Sequence, residues 1–112
     1  MAYSKQVRAR NRSARAFLQK EFGLAKHYKT MIEDTSITML PEDRAYKCRV
    51  VAAAQRTINC MPLEKQKFIR AALVDVHKSA EAISADLNIA VGTYYNWRKE
   101  VLQIFGRFLG VL

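Results

Sequence analysis

The stretch that most constrains this chain is Ala80–Lys99, AEAISADLNIAVGTYYNWRK. Its small and apolar residues are spaced as in two short helices crossing at a tight turn, the pattern of a helix-turn-helix. Ile83, Leu87 and Ile89 fall where the first helix and the turn must be apolar, and Ser84 is small where two helices approach most closely. Asn88 holds the turn position that calls for a left-handed backbone, which Asn adopts more readily than most residues. Tyr94 and Trp97 then fall on the inner face of the second helix.

The helical period decides which residues are free to meet a partner. With Tyr94, Trp97 and Val101 turned inward, Val91, Gly92, Tyr95, Asn96 and Lys99 share the outward face. Asn96 can pair bidentately with an adenine edge, a contact worth about 1–3 kcal/mol of discrimination. Val91 and the Thr93 methyl can meet a thymine methyl, and Gly92 permits close approach at a cost of about 1 kcal/mol of helix propensity. Arg98 and Lys99 suit phosphates and set register without reading sequence. Ser79 is the expected N-cap of the first helix, with Glu81 in the first turn and a hydroxyl that can also donate to phosphate. Each residue has a plainer reading: Trp97 as core, Tyr95 as a packing residue, Thr93 and Ser79 as caps only, and the whole pattern as purely structural.

The charge argues for the first set of readings. Nineteen basic residues against ten acidic give a formal net charge of +9, which points to an anionic partner, double-stranded DNA before others. Such an excess also serves solubility. Eight of the basic residues precede Met31, and residues 4–22 read as a basic helix carrying Lys5, Arg8, Arg10, Arg12, Arg15 and Lys20. Val7, Ala14, Leu18 and Phe22 give it a thin apolar stripe. Arg8, Arg10, Arg12 and Arg15 are its candidate phosphate contacts, because a planar guanidinium donates two parallel hydrogen bonds; a solvated helix face is the alternative.

Along the rest of the chain, Gly23 is expected to interrupt, with a second short helix over Leu24–Glu33 and a linker over Asp34–Leu40. Pro41, Glu42 and Asp43 suit the first turn of a helix running to about Cys60. Tyr46, Val50, Ala53, Ala54 and Ile58 mark its buried face, and Cys48 reads as an ordinary packing residue. Pro62 separates this helix from one over Leu63–Val76, whose apolar side is Phe68, Ile69, Ala72, Leu73 and Val76. His77 and Lys78 form the connector. The last helix should run on through Val101, Leu102, Ile104, Phe105, Phe108 and Leu109. The fold expected is all-α, a helical bundle with a C-terminal helix-turn-helix and a basic N-terminal helix. Residues 1–40 form an arm and linker, and residues 41–112 the DNA-binding domain. The apolar tail has more surface than one helix face needs, so it should pack on the 41–60 helix or make a homodimer contact.

No apolar run is long enough to cross a bilayer and no secretory signal is visible, so a cytoplasmic protein without membrane contact is expected. Cys48 and Cys60 read as free thiols. His27 and His77 are isolated and the acids scattered, so neither catalysis, a metal site nor a cofactor is expected.

With these residues in view, the chain resembles the ArpU-like (autolysin regulatory protein) group of small phage transcriptional regulators, related in style to RinA-type activators. The resemblance spans Ile58–Leu109: the Met61-Pro62 break, the Phe68-Ile69 helix, Ile83 with Leu87, Thr93-Tyr94-Tyr95, Trp97-Arg98-Lys99, and the Leu102…Phe105…Leu109 tail. The same half resembles region 4 of bacterial sigma factors, departing from it at Ala90, where a serine is common, and at Gln66, where an arginine is. The resemblance implies a DNA-binding activator of late phage genes for packaging, morphogenesis or lysis, working in the bacterial host cytoplasm, with RNA polymerase as a candidate partner. Two other readings stand beside it: a phage small terminase subunit that binds packaging-site DNA, and an interaction module whose basic surface meets an acidic protein.

Overall fold

Gly23 does not interrupt the first helix. In the computed structural model, which describes residues 5–75 and 78–112, α1 runs unbroken over Lys5–Glu33. Glycine in a helix interior costs about 1 kcal/mol. Here that cost is outweighed by burial on both sides of it, of Leu18, Phe22 and Ala25. At Gly23 itself the helix passes close to a neighbouring backbone, so that a methyl there would lie 3.4 Å from the Leu73 carbonyl oxygen. The side chains of residues 5–11 lie outside the described residues, as do Val76 and His77, and with them the expectations for Val7, Arg8 and Arg10.

The connector begins with Asp34, whose carboxylate accepts hydrogen bonds from the Ser36 hydroxyl at 2.6 Å and backbone N–H at 2.9 Å. Those two bonds hold the Asp34 carboxyl below its ordinary range. Helix α2, Pro41–Asn59, starts on the proline with Glu42 and Asp43 in its first turn. Val50, Ala53 and Ala54 are buried as their spacing requires, and Tyr46 and Ile58 are half-buried. Thr57 joins them, its hydroxyl satisfied by the Ala53 carbonyl at 2.7 Å. Cys48, expected to pack, faces solvent instead, because it lies across the helix from Val50. Cys60 is likewise exposed, and both thiols are free.

A polar side chain closes the turn after α2: the Gln66 amide donates to the Met61 carbonyl at 3.0 Å. Helix α3, Leu63–Ile69, then widens into a π-helical turn over Arg70–Val74, in place of the uniform helix expected there. The Asp75 N–H reaches back to the Arg70 carbonyl at 2.8 Å. The wider turn keeps Ala72 and Leu73 on the face that buries Phe68 and Ile69.

Helix α4, Ala80–Leu87, is capped by Ser79, whose hydroxyl oxygen accepts from the Ala82 N–H at 3.2 Å. Asn88 takes the left-handed conformation, φ 57° and ψ 45°, the one positive-φ residue other than glycine among those described. The Ile89 N–H then returns to the Ser84 carbonyl at 2.9 Å, closing the turn. Helix α5, Val91–Leu109, ends on Gly110 in the left-handed region at φ 87°.

All five helices contribute to one core. Leu18 and Phe22 of α1, Val50 of α2, Phe68 of α3, Ile83 of α4 and Val101, Leu102 and Phe105 of α5 belong to a single buried cluster. The cluster crosses the division expected at residue 40. Phe22 meets Phe105 edge-on at 5.0 Å, and Phe68 meets Tyr94 at 5.3 Å and Trp97 at 5.6 Å. Such edge-to-face pairs contribute about 0.5–1.5 kcal/mol each beyond their burial. The tail packs only in part: Phe105 and Leu109 are buried, and Phe108 lies beneath Arg56 of α2, while Leu112 lies beside Gly106 and is mostly exposed, as is Val111.

One polar cluster pins α1 to α2. The buried carboxylate of Glu21 accepts from the Tyr28 and Tyr46 hydroxyls, each at 2.6 Å. Burial, and then the Glu21 carboxylate, push the Tyr28 hydroxyl up to about 12, and the same causes raise Tyr46.

Candidate nucleic-acid interface

Three inward anchors set the rotation of α5. Tyr94 is buried against Phe68, Val101 is fully enclosed, and Trp97 is half-buried with its indole also on Phe68. Lys65 of α3 adds a fourth restraint, bonded to Glu100 at 2.8 Å with its ammonium 5.6 Å from the Trp97 ring. With the helix held this way, Val91, Gly92, Tyr95, Asn96 and Lys99 all emerge on the solvent side. Val91 and Tyr95 are exposed, at 39% and 44%.

The remaining expected residues divide. Thr93 is half-buried beside the outer face. Arg98 is also half-buried, its guanidinium 5.1 Å from the Tyr95 ring and 5.9 Å from Tyr94, so its reach is set by the tyrosine pair. Ser79 is exposed, and its oxygen is engaged in the cap while its proton stays free to donate. Nothing lies within 4 Å of a side chain built on Gly92, so the glycine leaves open space in front of α5 rather than serving its own fold. Ala90 brings no side-chain cap, which leaves the first N–H groups of α5 facing outward.

Arg12 and Arg15 are exposed on α1. α1 meets α5 through Phe22 on Phe105 and Leu18 beside Gly106, in the C-terminal half of α5 and not at its first turns. Sequence reading also assigned no partner-facing role to α2, where Arg49 and Arg56 stand exposed; the signal was the absence of any acid from Arg44 to Leu63. Among the described residues no group of three or more His, Cys, Asp or Glu side chains could hold a metal ion, and no helix is long and apolar enough to cross a membrane.

Comparison with known proteins yields no matching family, no matching curated protein and no matching solved structure.

Proposed function

We propose that this protein binds double-stranded DNA, with α4 and α5 acting as a helix-turn-helix and α5 as the helix that enters the major groove. The observation that carries the reading is the joint exposure of Val91, Gly92, Tyr95, Asn96 and Lys99 behind a left-handed Asn88 turn. That face offers a bidentate amide and a methyl-bearing residue that can meet base edges, a cation that can hold phosphate, and a glycine gap beside them. The net charge of +9 supplies the sequence-independent attraction to phosphate. Taken with the resemblance to ArpU-like regulators, the role proposed is a transcriptional activator of late phage genes.

Selection from a pool of randomised duplexes tests it. The wild-type chain should enrich one motif, and Asn96→Ala should weaken binding to that motif by roughly five- to a hundredfold while leaving binding to random duplex nearly intact. Failure to enrich any motif, or affinity indifferent to salt, would defeat the reading.

A further inference from the structure

Most of the positive charge of this chain lies away from the outer face of α5. From Arg44 to Leu63 the sequence carries Arg44, Lys47, Arg49 and Arg56 and no acid. The acids of the α1–α2 hairpin gather at its connector, as Glu33, Asp34, Glu42 and Asp43, while Glu21 is enclosed by two tyrosine hydroxyls. Among the described residues the ion pairs are Lys65–Glu100 and Lys78–Asp86, so no cation of α2 is neutralised by one.

Two of these cations are held in a particular way. Arg49 and Arg56 lie two helical turns apart on one stripe of α2, about 10 Å along the axis, and both are exposed. The Arg56 guanidinium stacks 4.5 Å from the ring centre of Phe108, and that of Arg49 lies 5.9 Å from Tyr46. A guanidinium resting on a ring keeps its N–H edges free for two parallel hydrogen bonds to phosphate oxygens. The ring also limits the rotamers lost on binding. A lipid surface would call for large apolar side chains beside the cations. The exposed face of α2 carries Ala45, Ala52 and Gln55, and the one large apolar side chain against these arginines from another helix, Phe108 at 36% exposure, is engaged beneath the Arg56 guanidinium.

We propose that the Arg49–Arg56 stripe of α2 is a second phosphate-binding surface, holding the backbone of duplex DNA without reading its sequence. This rests on the DNA-binding reading above and adds a grip separate from it: Phe108, beneath Arg56, is about 18 Å along α5 from Asn96. The two surfaces therefore engage different stretches of backbone.

The test uses the full chain and a random-sequence duplex, with affinity measured across salt concentrations. The double variant Arg49→Gln/Arg56→Gln should keep its helicity and melting temperature, bind more weakly, and lose about 1.8 from the slope of log affinity against log salt. Arg49→Lys/Arg56→Lys should keep most of the slope yet bind less tightly than wild type, because the fork is lost but the charge is not. Should the double Gln variant fail to fold, Arg56→Gln alone carries the test, with about half that change in slope. Affinity and slope unchanged in the Gln variant, with Asn96→Ala still abolishing motif preference, would overturn the α2 surface and leave the α5 reading intact. Loss of affinity in the Gln variant with Asn96→Ala and Lys99→Gln both silent would uphold α2 and overturn α5. Binding to phosphatidylserine vesicles but to no duplex would overturn both.

Discussion

The Tyr46 hydroxyl of α2 donates to the buried Glu21 carboxylate of α1 across a distance of 2.6 Å. It is one of two tyrosine hydroxyls on that carboxylate: Tyr28 donates from within α1, and Tyr46 alone crosses to join helices that meet in no ion pair among the described residues. A hydrogen bond to a charged acceptor contributes roughly 1.5–3 kcal/mol, and a buried carboxylate stripped of its donors costs at least as much. Tyr46→Phe and Glu21→Gln should each lower unfolding free energy by about that amount in urea titrations. The double variant should lose clearly less than the two single losses added together. Strict additivity would mean the two groups are not coupled.

The same cluster sets an alkaline limit. Tyr28 ionises near 10 in an unfolded chain and at about 12 in the fold. The folded state therefore holds its proton where the unfolded state has released it. The stabilisation is complete below pH 10 and is lost progressively as pH rises from 10 towards 12. Melting temperature measured across this window should fall more steeply for wild type than for Tyr28→Phe/Tyr46→Phe. Parallel curves would refute the assignment.

Asn88 should tolerate glycine and little else. A left-handed backbone costs a side chain with a branched β-carbon about 1–2 kcal/mol and costs glycine almost nothing. Asn88→Gly is expected to melt within a few degrees of wild type and Asn88→Val well below it. Comparable melting of both variants would indicate that the α4–α5 turn relaxes.

The tail is the fourth test. Leu109 belongs to the buried cluster, so Leu109→Ala should cost about 2–4 kcal/mol, read as a lowered melting temperature. Light scattering on the same samples reports whether the tail also reaches a second copy: a change of particle mass with the substitution would place a subunit contact there. A closed ring of many subunits would count for DNA packaging and against a regulator.

Several parts of this molecule were legible in order along the chain. The Pro41 start, the Pro62 break, the Ser79 cap, the Asn88 turn and the inward phase of Tyr94 and Val101 each rest on residues within a few positions of one another. Local rules of capping, backbone preference and helical period are enough to read them. The candidate face of α5 was legible for the same reason, since fixing its inner residues fixes its outer ones.

What tertiary structure decided depends on partners distant in sequence. Continuity of α1 through Gly23, which propensity alone argues against, goes with burial of Leu18 and Phe22 against α5. Glu21, a lone acid in a basic segment, became a structural pin only when Tyr46 of α2 came within 2.6 Å. Arg56 of α2 meets the Phe108 ring only because α5 packs against α2, whereas Arg49 lies over Tyr46, three residues earlier on its own helix. The Ala80–Lys99 stretch determined by itself how its two helices turn; which of its surroundings would carry the positive charge was settled by the packing of α1 and α2, because charge and aromatic faces act through space and not along the chain.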